Sequence, residues 1–444
     1  MTSAGASLPR TEEWWRPETA PVGVAPDRDT GGTSEATASP VAYTAFIAFT
    51  YVLLLAPQNL FPFLGRLRIA LLIGAVAIVA HVRDRWARGL PLAKPGRETW
   101  LAGALLVWTL VGWPFSLWPG GTLALVLDLY LKALIVFWLI SNLVDTHPRL
   151  RRMAWTLTLL TVTLALVGIS NYLSGVFGPA QDRRILGYDA GLTRNPNDLA
   201  LMLNLVIPIA VSLWLSARRP MLRVMLGLAL LVQVTAVILT FSRAGFLTLA
   251  TTLGLYALRL LRRPSKGLVF AAVVLALFAL PFLPAGYVER LLTLRAIDAD
   301  ATGSAQARWE GTLAAIENMA AYPVLGAGLG MDILALNETV GPTWRAVHNT
   351  YLEYGVDLGV PGLLLFLALL WTCWRSARAA RGVEEVEVSH LAEGIEISLL
   401  GFAVAAFFHP AAYHFYFYYI AGLAVAARHV ASREPAAAPI GDRS

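Results

Sequence analysis

The sequence predicts an all-α, polytopic integral membrane protein with about twelve transmembrane helices and a helical periplasmic cap segment. Three observations predict it. The 444-residue chain is 57% hydrophobic and only 14% charged. Its apolar stretches recur near the roughly 20 residues that a helix needs to cross a bilayer. Basic residues gather in every second connection, as they do on the cytoplasmic side of membrane proteins. This composition sets aside a soluble domain, and topology explains the net charge of +6 without nucleic acid. The single cysteine, Cys373, lies in an apolar run and excludes an intrachain disulfide or a Cys-based metal site.

Residues 1–40 are rich in Pro, Gly, Ser, Thr, Ala and mixed charge, with no apolar h-region or cleavage site, and read as a disordered cytoplasmic tail. Spans follow near 42–64, 66–82, 99–118, 121–144, 153–174, 197–217, 221–241, 243–261 and 267–284, so 41–284 holds helices one to nine. Residues 285–356 are too long for a simple connection. Their stretch from Ala305 to Tyr322 has apolar residues at helical spacing, so this segment reads as a periplasmic cap. Spans near 357–376, 392–409 and 411–428 complete the set within 357–430, and 431–444 reads as a second disordered cytoplasmic tail.

Orientation comes from the basic connections. Arg83, Arg85, Arg88, Lys94 and Arg97 fill one; Arg149, Arg151 and Arg152 another; then Arg218, Arg219 and Arg223; Arg259, Arg262, Arg263 and Lys266; and Arg375, Arg378 and Arg381. Placing these inside puts both termini in the cytoplasm and the alternate connections outside. Arg66 and Arg68 break the pattern at the first hairpin. No internal repeat is visible, which weighs against an inverted-repeat transporter.

The connections placed outside carry arginines against the topological trend: Arg183, Arg184, Arg194 and Arg243. An arginine at membrane depth is costly unless paired or lining a wet cavity, and guanidinium groups match phosphate oxygens bidentately. These residues are therefore candidates to hold a lipid diphosphate. The alternative is that each snorkels to headgroups or pairs with Asp198, Asp189 or Glu310. Asn195-Pro196-Asn197-Asp198 reads as a helix start, and its dipole end beside Arg194 would favour an anion.

His348-Asn349 stands ahead of an apolar span with Gly355, Gly359 and Gly362 downstream. In a continuous helix these glycines would share a face with His348, but Pro361 predicts a break, leaving His348 on a short helix or turn. Histidine suits removal of a proton from a sugar hydroxyl; a hydrogen-bonded interfacial histidine is the alternative. Asp298-Ala299-Asp300 has a metal-binding spacing but sits among ordinary turn residues, so no metal is expected. Asp128 and Lys132, four apart in one span, read as a structural pair. Tyr413, His414, Tyr416, Tyr418 and Tyr419 read as an interfacial aromatic belt, with the edge of a substrate groove as the alternative.

The spacing of His348-Asn349, nine residues, Gly359, two residues and Gly362 resembles the His-Asn-x9-Gly-x-x-Gly signature of the O-antigen ligase/polymerase superfamily. Arg308-Trp309-Glu310, the run from Tyr322 to Gly330, Asn195-Pro196-Asn197 and Ser242-Arg243 resemble that family in its usual order, over roughly 185–365. The resemblance implies a metal-independent, inverting glycosyltransferase in the inner (cytoplasmic) membrane, active on the periplasmic face. It would move a glycan from an undecaprenyl diphosphate carrier to a lipid A core or a growing polysaccharide. His348, Arg194 and Arg243 would be catalytic; Arg183, Arg184, Asn195, Asn197, Ser242, Arg308 and Asn349 would bind substrate. No cofactor is implied. A protein O-oligosaccharyltransferase of the same superfamily remains open. So does a lipid-linked sugar transporter or flippase, which predicts polar residues on both sides of the midplane.

Overall fold

Where no water is available to the backbone, its polar groups must pair within the segment, and the apolar stretches accordingly form helices. The computed structural model describes residues 37–177, 185, 187–188, 192–262, 267, 304–341 and 344–433. Among them the regular structure is helical. Helix α1 spans Pro40–Leu55, followed by short turns α2 (Pro57–Leu60) and α3 (Pro62–Arg66), then α4 (Ile69–Ala87) and α5 (Arg97–Gly112). Helix α6, Pro119–Leu143, runs through a π turn at Val126–Tyr130. Then come α7 (His147–Leu173), α8 (Pro196–Ser216), α9 (Pro220–Leu239), α10 (Arg243–Leu261), α11 (Ser304–Ala321) and α12 (Asp332–Val340). The chain ends in α13 (Thr350–Ala379), α14 (Val386–Ala405) and α15 (Phe415–Ala431).

Seven of these helices are long and apolar enough to cross a membrane: α6, α7, α8, α9, α10, α13 and α14. The apolar stretch 267–284 lies outside the described residues, as do the N-terminal tail up to residue 36 and the C-terminal residues from 434. Helices α8 and α14 pack on each other at the centre, where every residue of α8 from Leu199 to Ala210 is buried. Helix α15 lies against α6, α13 and α14, while α9 faces outward with Met221, Val224, Met225 and Leu228 exposed. Apolar side chains exposed along a whole helix face mark contact with lipid rather than water.

Two expectations need correction. The stretch 42–64 is not one helix: Ala56 adopts φ 40°, ahead of Pro57. Proline disfavours helical geometry at the residue before it, which stops α1 at Leu55. The tyrosines near residue 415 do not form an interfacial belt, because Tyr413, Tyr416, Tyr418 and Tyr419 are all buried in the bundle. The hydroxyls of Tyr416, Tyr418 and Tyr419 find internal partners. Tyr418 meets Tyr354 at 3.1 Å, Tyr419 meets Thr50 at 3.1 Å, and Tyr416 donates to the Leu192 carbonyl. Asp128 and Lys132 do pair, at 3.4 Å on an exposed face of α6.

Candidate functional site

Three helices begin at the same end of the bundle, each capped by a short polar side chain that accepts a first-turn amide. Asn195 caps α8 by accepting from the Asn197 N–H at 2.8 Å. Ser242 caps α10 by accepting from the Gly245 N–H at 3.1 Å, and Phe241, at φ 52°, turns the chain into it. Asn349 caps α13, accepting from Tyr351 and Leu352 at 2.9 and 3.2 Å. The first two starts are tied directly, since the Ser242 hydroxyl donates to Asn197 Oδ1 at 2.9 Å. Deeper in, Asn204 donates to the Gly245 carbonyl at 2.9 Å.

The third start is tied through the turn between α14 and α15. Thr350 donates its N–H to Ala406 at 2.7 Å and its hydroxyl to the His409 carbonyl at 2.7 Å. His409 itself is buried, with Nε2 2.7 Å from Asp198 Oδ1 in the first turn of α8. Three capped N-termini therefore point toward one region, each contributing partial positive charge, and Arg194 and Arg243 belong to that region by sequence.

His348 lies immediately before the Asn349 cap. Its Nδ1 is 2.9 Å from the Ala346 carbonyl. A carbonyl oxygen can only accept, so Nδ1 carries the hydrogen and Nε2 keeps the lone pair in the neutral ring. Loss of part of its water shell lowers the His348 pKa below the ordinary value of 6.5. The positive charges of Arg308, His409 and Arg345 act in the same direction. The backbone on either side is pinned: Val347 donates to Asp332 Oδ2 at 2.7 Å, and Thr350 is held as above. Asp332, pushed up by burial, lies in the first turn of α12.

The glycine pattern near His348 has a packing role. Gly359 takes φ 67° and breaks α13 one residue before Val360-Pro361, so carbonyls of the preceding turn lose their intrahelical partners. A loop from Pro323 to Gly330 takes them up: Ala327 donates to Val356 at 2.8 Å and Gly328 to Asp357 at 2.9 Å. Trp108 Nε1 donates to Leu358 at 2.9 Å, and Val360 returns its N–H to Pro323 at 2.8 Å. A Cβ at Gly359 would sit 2.2 Å from the Val324 oxygen, and one at Gly326 2.5 Å from the Val356 oxygen. Asp357 adds its carboxylate to the Gly330 and Met331 amides at 2.7 and 3.1 Å. His348 precedes the helix and shares no helix face with these glycines, and the break expected from Pro361 falls at Gly359.

Of the predicted site residues, Asn195, Asn197, Ser242 and Asn349 act as caps or ties between helix starts, and Ser242 is the buried one. Arg243 opens α10, and Arg308 on α11 is close enough to His348 to influence its charge. Arg194 is exposed and accepts from the Gly187 N–H through its carbonyl at 2.9 Å. Arg183, Arg184 and the Asp298-Ala299-Asp300 segment lie outside the described residues. Sequence reasoning missed His409 as a site residue. Its one signal was a histidine before proline in a connection placed on the same side as His348. It also missed Glu353, Asp357 and Asp332 as braces; Glu353 accepts from the Ala412 N–H at 3.1 Å.

A bundle of apolar helices with a polar cluster assembled at one end defines a polytopic membrane protein. Residues 228–367 match the protein-family model described as O-Antigen ligase, and this match supports the resemblance to the O-antigen ligase superfamily. The match takes in Ser242, Arg243, Arg308, His348, Asn349, Gly359 and Gly362, while Asn195 and Asn197 precede it. Members of this family are glycosyltransferase-like ligases and polymerases that act on lipid-linked glycans and polysaccharide acceptors. No curated protein matches the chain.

Proposed function

We propose that this protein transfers a glycan from an undecaprenyl diphosphate carrier to a lipid A core or a growing polysaccharide, by metal-independent inverting displacement. In this reading Nε2 of His348 takes the proton from an acceptor hydroxyl. The hydroxyl oxygen bonds to the anomeric carbon from the face opposite the carrier, and the carbon–oxygen bond to the diphosphate breaks. The bonding pair leaves on the diphosphate oxygen, whose charge Arg194, Arg243 and the three helix N-termini offset. Arg308, Asn195, Asn197, Ser242 and Asn349 hold donor or acceptor, and Arg183 and Arg184 add positive charge to the same side.

The observation that carries this reading is the mutual bracing of the arginine and histidine elements through Ser242–Asn197 at 2.9 Å and Asp198–His409 at 2.7 Å. The basic connections support an inner-membrane placement, with the site on the periplasmic face and α11 and α12 in an external cap over about twelve spans. The test is reconstitution in vesicles with a defined undecaprenyl diphosphate-linked glycan and an acceptor. Glycan transfer with equal release of undecaprenyl diphosphate supports the reading. Lipid translocation without transfer overturns it in favour of a transporter.

A further inference from the structure

The far end of α8 carries a second charged region unrelated to the candidate site. Helix α8 has 21 residues, so this region lies roughly 31 Å from Asn195 along the axis. There a cavity of about 460 Å³ is lined by Arg151 and Trp155 of α7, Leu213 of α8, Arg218 and Arg219 of the connection, and Leu222 of α9. A second cavity of about 410 Å³ shares Arg151 and Trp155 and adds His147 and Arg152.

The charges on these walls are unequally satisfied. Glu387 pairs with Arg151 at 3.0 Å and with His147 at 3.3 Å. Glu385 is the further acid on the walls, against Arg152, Arg218 and Arg219. The guanidinium groups of Arg218 and Arg219 have no hydrogen-bond or ion-pair partner among the described residues. Helices α9 and α14 also begin at this cavity with no side chain capping their first amides, which adds donors for an anion. The apolar half of the arrangement continues outward. Met221, Val224, Met225 and Leu228 of α9 are exposed and form an apolar track beginning at the cavity.

We propose that this cleft binds an anionic phospholipid, with the headgroup phosphate on Arg218 and Arg219, the glycerol region against Trp155 and Leu222, and an acyl chain along α9. Guanidinium pairs suit phosphate, and an indole suits the boundary between headgroup and hydrocarbon. A free phosphate ion would engage the same arginines but would make no use of the α9 track.

The experiment is native mass spectrometry of the full chain in detergent after delipidation, titrated separately with phosphatidylglycerol, phosphatidylcholine and inorganic phosphate. The wild type is expected to take up one phosphatidylglycerol at least about tenfold more tightly than phosphatidylcholine. Arg218→Gln/Arg219→Gln should remove that preference, Leu222→Ser should weaken lipid uptake, and Arg83→Gln/Arg375→Gln, a like loss of charge elsewhere, should leave it intact. Equal binding by Arg218→Gln/Arg219→Gln and wild type overturns the proposal, as does equal loss in Arg83→Gln/Arg375→Gln. Displacement of phosphatidylglycerol by millimolar phosphate would assign the arginines to free phosphate instead. Circular dichroism and thermal unfolding of each variant separate lost binding from lost folding.

Discussion

His409 Nε2 and Asp198 Oδ1 meet at 2.7 Å, a contact that joins the turn holding Thr350 to the first turn of α8. Because Thr350 follows His348-Asn349 and Asp198 follows Arg194, this one contact fixes how far the histidine element stands from the arginine element.

The pair should therefore couple stability to transfer. Asp198→Asn and His409→Phe are each expected to cost about 1–2 kcal/mol in thermal unfolding in detergent, because each weakens or removes the contact between buried His409 and half-buried Asp198. Both should lower kcat more than they raise KM. A double-mutant cycle should show the two losses strongly non-additive. Additive losses would mean that the two residues do not act as a unit.

The state of His348 predicts a pH profile. Its pKa is depressed below 6.5, and the base form is the unprotonated ring. The rate should therefore hold as pH falls through 6.5 and decline only at lower pH, as the ring takes up its proton. A descent that begins above pH 6.5 would contradict that assignment. Profiles of kcat/KM for wild type and Arg308→Gln check it. Removing a nearby positive charge should move the acid limb of Arg308→Gln upward.

Caps give smaller, separable effects. Ser242→Ala removes both the α10 cap and the tie to Asn197, and should cost about 1 kcal/mol or somewhat more in stability. Asn349→Ala has a similar stability cost but should lower transfer further, because the residue it leaves uncapped adjoins His348. Thermal unfolding alongside initial transfer rates distinguishes the two.

Glycine substitutions divide according to the space around them. Gly359→Ala and Gly326→Ala place a Cβ against backbone oxygens at positive φ, and each should destabilise by at least about 2 kcal/mol. Gly254 on α10 has open space around it. Gly254→Ala should be neutral or stabilise by up to about 1 kcal/mol. Detergent thermostability of the three variants is the check.

Much of this was legible in local sequence. Apolar run length marked where helices lie, the Asn195-Pro196 step marked the start of α8, and Pro361 marked a break in α13. The signals failed where a residue's role depends on a distant partner. His409 reads as a turn residue until Asp198 comes beside it, and Asp332 and Asp357 read as ordinary acids until loop amides turn toward them. Tyr416 and Tyr418 looked interfacial because aromatic residues favour both boundary and core. Only their internal hydroxyl partners distinguish the two. The break at Ala56 was readable from Pro57, but the surrounding apolar run hid it.

The central claim is that His348 acts as the base of a glycan transfer at the braced end of the bundle. Its most direct measurement is the single-turnover rate of glycan transfer from undecaprenyl diphosphate by reconstituted wild type and His348→Ala, matched for folding by thermal unfolding. A loss of roughly 100-fold or more in His348→Ala, with donor binding retained, is the predicted result. A rate within a few-fold of wild type would contradict it.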